Sequence, residues 1–255
     1  MLKNGARALA REGPPTQVSP RSIFIRHTLA LSQEIEYYMA MSNARKRASV
    51  PTEALIRPTL MVTGRSASVA FSQPAAELSR LTKSGALIKI ARGYYAAVPV
   101  DRGAGDWLPS MEALAAGLAT AVFGYGHGVV WGLSAARAHG ALPRAIAIGF
   151  VCGPRQHRDI SLTIRAGEVK FRKRDPERLD LEYFATDLGP GLVTSIEQTI
   201  LDLSAQPFLD EDPTKAEAVI TLMARADRAR LAEIAGRARG STALARANKL
   251  VAHAQ

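Results

Sequence analysis

The stretch PAAELSRLTKSGALIKIARGYYAAV, Pro74 to Val98, carries the clearest structural pattern in the chain. Its first ten residues carry Leu78 and Leu81, with Ala75, at helical spacing. Glu77, Ser79, Arg80, Thr82 and Lys83 fill the other faces. Pro74 suits a first helical turn, where its missing N–H is not needed. Ser84-Gly85 supplies a left-handed stop. From Leu87 the period changes to two, with Leu87, Lys89 and Ala91 alternating with Ile88 and Ile90. Ala91-Arg92-Gly93 turns the chain, and Tyr94 to Val98 returns as a second strand. An amphipathic helix followed at once by a cationic hairpin is the pattern of a winged helix-turn-helix. In such a unit the helix enters a DNA major groove and the hairpin reaches the neighbouring backbone.

Upstream, MVTGRSASVAFSQ at 61–73 is expected to hold the second helix of the motif and its turn, with Val69 and Phe71 facing the core. Before it, PTEALIRPTL opens with Pro51 at a first helical position, and Pro58 limits that helix. The residue types around the motif suit a duplex. Gln73, Ser79, Arg80 and Lys83 are the candidate groove contacts, because Gln and Arg can meet base edges with two hydrogen bonds. Lys89 and Arg92 in the hairpin, and Arg65 and Ser66 ahead of the helix, are candidate phosphate contacts, with Tyr94 at the foot of the hairpin.

Charge agrees in placement more than in amount. The chain has 255 residues and a formal charge of +10, which alone suits nucleic acid, an anionic membrane or an acidic protein almost equally. Between Met41 and Val100, nine lysines and arginines oppose only Glu53 and Glu77, so +7 of that total lies in this one segment. Cys152 is the only cysteine, so no intrachain disulfide forms and a cytoplasmic location is expected. No signal peptide is visible, since Arg26, Glu34 and Glu36 interrupt residues 22–40. Ala113 to Ala136 carries no formal charge, but it is mainly Ala and Gly, with His127 inside. Leu, Ile and Phe, not Ala, drive insertion, so no membrane span is expected.

Three segments follow from these shifts. Residues 1–40 are read as an extension, either a disordered arm or a mis-called start with translation beginning at Met41, although 22–40 has uneven helical points. The intact mass of the native protein decides between them. Residues 41–103 hold the winged helix-turn-helix, and the Gly-rich joint Asp101–Asp106 leads to a mixed α/β unit over 104–255. In that unit a helix is expected from about Met111 to Phe123, and GYGHG turns the chain into Val129–Trp131. LSAARAHGALP is a short helix, and Ala145–Cys152 a central strand. Ile160–Ile164 and Glu168–Arg172 alternate, the latter as an edge strand ending in a basic turn, and Leu181–Phe184 is a further strand. A helix spans Ser195–Leu203 with Thr194 as N-cap and Glu197 closing a capping box. Two helices close the chain, about Pro213–Met223 and Ala229–Ala252, the second broken near Gly240.

Catalytic chemistry is sparse. The five histidines show no zinc-ligand spacing, and GYGHG lacks the residues of a nucleotide loop. Cys152 sits in an apolar run, as a core residue does. Asp159 followed by Glu168-Val169-Lys170 resembles a metal-dependent nuclease arrangement, two acids and a lysine. Exposed alternating strands also produce Glu-x-Lys by chance. Ser134 and His139 lie five apart on one helix and so do not share a face. A structural bond from His139 to a backbone carbonyl is expected instead. A protein-interaction module with a basic face is the remaining alternative.

Several of these pieces together resemble one family. ARGYYAAVP at 91–99, LSAARAHGAL at 133–142 and VTSIEQTILDL at 193–203 occur in the order seen in AbiEi-type antitoxins, the mycobacterial MenA-like ones among them. Ser134, Ala135, His139, Gly140 and Leu142 match a Ser-Ala…His-Gly-Leu signature, with Ala141 as an added residue. Glu197, Thr199, Leu201 and Asp202 match a Glu…Leu-Asp signature. The resemblance covers residues 50–205. It implies an α+β fold, an N-terminal winged helix-turn-helix followed by a mixed α/β antitoxin domain with C-terminal helices. It further implies a repressor that binds inverted repeats in its own promoter; a monomer or weak dimer on the DNA is expected, the sequence leaving the two open. Such a protein counteracts a nucleotidyltransferase toxin directly or indirectly, with no catalytic residues, no metal and no cofactor.

Overall fold

A helix that is apolar all round has to be buried on every side, and the charge-free run from Ala113 supplies one. The fold is taken from a computed structural model that describes residues 60–99, 107–206 and 209–254. Among these residues the chain is mixed α+β, with eight α-helices and two sheets. The helix 22–40, the segment opening at Pro51 and the joint Asp101–Asp106 lie outside them.

The first part runs β1 (Met61–Thr63), α1 (Gly64–Ala70), α2 (Pro74–Lys83), β2 (Leu87–Ala91) and β3 (Tyr94–Ala97). The three strands form an antiparallel sheet in the order β1-β3-β2, with Met61 opposite Ala96 and Leu87 opposite Ala97. One face of this sheet packs Val62, Leu87 and Ala97 against Ala67 of α1 and Leu78 and Leu81 of α2. The other face turns Met61, Ile90, Ala91 and Ala96 toward α3 (Met111–Phe123). An irregularity between Lys89 and Ala91 lets two successive residues, Ile90 and Ala91, both be buried.

Helix α3 starts at Ser110, whose hydroxyl accepts the Ala113 N–H at 3.1 Å. Met111 to Ala119 are buried without a gap. The only carboxylate among them, Glu112, accepts Arg137 Nε at 2.7 Å. Opposite the small sheet, α3 meets Val130, Val151, Val169, Phe171 and Val193 of a second sheet. That sheet is built from β4 (Val129–Val130), β5 (Ile148–Gly153), β6 (Ile160–Ser161), β7 (Glu168–Lys173), β8 (Leu181–Phe184) and β9 (Gly191–Thr194). Its order is β6-β7-β5-β4-β9-β8, parallel between β5 and β7 and between β4 and β9, antiparallel elsewhere. At its end α4 (Gly132–Ala138), α5 (Ile196–Ser204), α6 (Pro213–Met223), α7 (Arg228–Arg237) and α8 (Ser241–His253) share a separate core around Ile200, Leu203 and Leu222. No described helix is long and apolar enough to cross a membrane.

Several expectations shift. Val69 does not face the core; it is 81% exposed. Ala75 is exposed as well, so α2 is anchored by Leu78 and Leu81 alone. The cap of α5 is one residue later than expected. Ser195 accepts the Gln198 N–H at 3.1 Å, while Thr194 bonds Thr199. Strand β7 is not an edge strand, since β6 covers its first two residues. Past β6 the side chains of Asp159 and Gln156 serve as the missing neighbour. They accept the Phe171 N–H at 3.0 Å and the Lys173 N–H at 3.2 Å, and the Gln156 amide donates to Phe171 O at 2.7 Å. The expected strand at Ile160–Ile164 shortens because Leu162 and Thr163 turn to β2 instead. Leu162 bridges Ala91, and the Thr163 N–H donates to Ile90 O at 2.8 Å.

Candidate nucleic-acid interface

The interface candidate is α1, the turn Phe71–Gln73, α2 and the hairpin β2–β3. Thr63 and Ser66 close α1 with a reciprocal capping box: Thr63 Oγ1 accepts the Ser66 N–H at 3.1 Å and Ser66 Oγ accepts the Thr63 N–H at 2.8 Å. Ser66 is therefore committed to the cap, which explains that residue without invoking phosphate. Pro74 opens α2. Its end is tied back by Ser84 N–H to Arg80 O at 3.0 Å and Ala86 N–H to Leu81 O at 3.0 Å. Gly85 at φ 75° lets the chain leave in the left-handed region.

Burying Leu78 and Leu81 fixes how α2 is rolled. Ala75, Ala76, Ser79, Arg80 and Lys83 then share the outward face, and all five are exposed. Their spacing of i, i+1, i+4, i+5 and i+8 makes one stripe along the helix. Gln73 is exposed at the N-cap and makes no side-chain cap bond; with Phe71, Ser72, Ala76 and Glu77 it lines a shallow surface depression. Arg65 is exposed in the first turn of α1. Lys89 and Arg92 are exposed on the hairpin, and the Lys89 carbonyl accepts Thr163 Oγ1 at 3.3 Å, which ties that strand to the body of the protein. Tyr94 differs from its neighbours: it is half-buried and packed on the core beneath the hairpin.

One contact within this surface was not foreseen from the sequence, although its i, i+3 spacing was readable. Arg80 Nε donates to both Glu77 oxygens at 3.1 and 3.0 Å, and Nη2 donates to Oε1 at 2.5 Å. The hydrogen bond from Arg80 holds the Glu77 carboxyl below the usual carboxylate range, and the same bond raises the Arg80 pKa.

The other sequence candidates fall apart as sites. Asp159 spends its carboxylate on the Phe171 N–H, and Glu168 pairs with Lys170 at 3.3 Å on the strand surface. Among the described residues no three His, Cys, Asp or Glu side chains cluster closely enough to hold a metal ion. Cys152 is fully buried and its thiol is pushed up to about 12, chiefly by that burial. Ser134 Oγ accepts the Phe150 N–H at 2.9 Å, and His139 Nε2 lies 2.7 Å from Thr194 O, so both join helix to sheet. Glu197 accepts the Asp227 N–H at 2.9 Å, and Asp202 binds Arg174 through two nitrogens. The signature residues of the sequence thus fasten elements together.

On the far side of the larger sheet, away from α3, lie features that the sequence did not flag. Tyr125 of the glycine turn stacks on Tyr183 of β8 at 6.5 Å between ring centroids, and each is 39% exposed. Burial, reinforced by Tyr183, lifts the Tyr125 hydroxyl to about 12. The Arg172 and Arg174 guanidinium groups lie 5.5 and 5.3 Å from the Trp131 ring centroid.

No family model and no curated protein matches the chain. Among solved structures, the chain is similar to the crystal structure of RV2827C protein from Mycobacterium tuberculosis, at 18% identity and a TM-score of 0.46. That likeness covers 82% of this chain and 84% of the other.

Proposed function

We propose that residues 61–97 form a winged helix-turn-helix that binds double-stranded DNA, with α2 in the major groove and the β2–β3 hairpin as the wing. The observation that carries this reading is the outward stripe of α2. It presents small residues, Ala75, Ala76 and Ser79, beside the cations Arg80 and Lys83, while Leu78 and Leu81 hold the opposite side down. Small side chains allow the helix backbone to approach a groove floor closely, and the cations at its end meet base edges or phosphates. Lys89, Arg92 and Arg65 are exposed around it. Gln73 and Ser79 remain candidate groove contacts; Tyr94 serves as a support for the wing.

The wing makes a distinct prediction. Lys89→Ala with Arg92→Ala removes two phosphate contacts. The slope of log K against log salt, measured by fluorescence anisotropy on a duplex from upstream of the gene, then flattens by about 1.8. Sequence preference stays as it was. A slope equal to that of the wild type removes the hairpin from the interface.

The wider reading is an antitoxin that represses its own promoter at inverted repeats and counteracts a nucleotidyltransferase toxin, directly or indirectly. It is supported by the order of the motifs at 91–99, 133–142 and 193–203. Half-sites about 34–36 Å apart are expected for a protein that meets two repeats on one side of the duplex. Co-expression with a nucleotidyltransferase encoded beside the gene tests this reading: growth is rescued if it holds and stays arrested if it does not.

A further inference from the structure

We infer that Glu77 is a positioning residue for sequence recognition: it grips Arg80 along one edge of the guanidinium so that the opposite edge is aimed at a guanine. This rests on the duplex-binding reading above. A guanidinium offers five N–H donors in a fixed planar fork. Glu77 occupies the edge formed by Nε and Nη2. The edge formed by Nη1 and Nη2 still has two parallel N–H groups, set for a pair of acceptors side by side. Guanine alone among the bases presents such a pair in the major groove, its O6 and N7. Adenine sets a donor beside its acceptor, and the pyrimidines each present one polar group.

The placement along the helix fits the same task. Side chains on a helix lean toward its N-terminus. Glu77 lies three residues earlier and draws Arg80 further in that direction, over the turn that carries Ala76. Ala75, Ala76 and Ser79 add little bulk to that face, and all three are exposed, so a base edge meets no large side chain before it reaches the guanidinium. Arg80 itself lies in the last turn of α2, so this lean is what carries its guanidinium back toward the N-terminal part, which reaches base edges in such helices. The Arg80 side chain is 53% exposed and that of Glu77 25%. An exposed pair at this spacing adds little to stability, so its removal leaves the fold intact. What Glu77 does contribute is orientation, at the cost of a carboxylate facing phosphates.

That combination has a signature that a general electrostatic role would lack. Removing the carboxylate raises affinity for unrelated duplexes, because one repulsive charge is gone, while a freed Arg80 loses its preference for one base pair. The test uses the intact protein and duplexes enriched by it from a pool randomised over 20 base pairs. Each G·C pair of the enriched sequence is replaced in turn by A·T, and binding is read by fluorescence anisotropy for wild type, Glu77→Gln and Arg80→Lys. For the wild type, one G·C replacement is expected to weaken binding roughly 10- to 100-fold. In Glu77→Gln the same replacement weakens it less than about 3-fold, while binding to unrelated duplex strengthens. Arg80→Lys, which lacks the fork, loses the same preference. Full discrimination retained by Glu77→Gln overturns the positioning role while leaving duplex binding in place. Failure of the wild type to enrich any duplex overturns the duplex-binding reading and this one with it.

Discussion

Asp202→Ala is expected to destabilise the protein by about 3 kcal/mol, or roughly 6–12 °C in Tm for a chain of this size. Asp202 is 8% exposed on α5, and its two oxygens receive Arg174 Nη1 at 2.5 Å and Nη2 at 2.8 Å. A third donor, the buried Gln198 amide, reaches the same carboxylate at 2.9 Å. Burial on its own would lower the Arg174 pKa; the Asp202 hydrogen bond and charge outweigh it, and the net shift is upward. Truncating Asp202 strands a guanidinium against Trp131 and leaves the Gln198 amide without its acceptor, and each costs more than the lost attraction itself. The Arg174 side chain is 23% exposed, so water recovers part of the loss and the value stays at the lower end for broken buried pairs. Replacing both partners together, Arg174→Met with Asp202→Leu, is expected to recover most of the stability, since apolar pairs of similar volume avoid the desolvation penalty. Thermal unfolding of the two variants beside the wild type measures both effects. A cost below about 1 kcal/mol for Asp202→Ala contradicts the role assigned to this pair.

A change of one carbon in the glycine turn is expected to cost as much. At Gly128 a Cβ would stand 2.6 Å from the Ala119 carbonyl carbon and 2.6 Å from its oxygen. Those are backbone atoms of α3, the helix held between the two sheets, so no side chain can swing aside. Relief requires α3 to move away from β4, which opens the core that Leu114 and Leu118 fill. Overpacking of well-packed sites costs about 1–3 kcal/mol, and Gly128→Ala is placed at the upper end or beyond it. Gly126→Ala is the internal comparison. Its φ is +80° but nothing lies within 4 Å of the added carbon, so only backbone strain of about 1–2 kcal/mol remains. Denaturant titration of the two variants should therefore rank Gly128→Ala as the more damaging by at least about 1 kcal/mol. Equal losses would mean that the close approach of turn and helix is not what demands a glycine there.

These two sites also show where the sequence could and could not be read. The helix at Pro74–Lys83 and the hairpin after it were legible because their determinants are local: the spacing of Leu78 and Leu81, a proline at the start, Gly85 at the end. The helix at Met111–Phe123 was legible in extent but not in setting. Its uniform alanine content says that it is surrounded, and only tertiary pairing says by what. The strand Met61–Thr63 was missed because it is three residues long and exists only through pairing with Tyr94–Ala96, more than thirty residues away. The same cause explains β7, whose alternation suggests an edge until Asp159 and Gln156 supply a neighbour from side chains. The apolar character of Val69 suggests an inward position, but the roll of α1 is set by Ala67 and by the Thr63–Ser66 cap. At the candidate interface, residue type picked out Arg80, Lys83, Lys89 and Arg92, all of which reach the surface. It did not reveal that Ser66 is used in a cap, that Tyr94 leans on the core or that Arg80 is held by Glu77.

In the proposed function α2 and the hairpin read a duplex by sequence. This recognition is tested most directly by titrating the intact protein into two labelled duplexes of equal length at one fixed salt concentration near 150 mM, one from the region upstream of its gene and one of unrelated sequence. The expected upstream affinity is at least about 1,000-fold the unrelated one, with that advantage lost in Arg80→Ala combined with Lys83→Ala. Equal affinity for the two duplexes, or an advantage that survives the double substitution, contradicts it.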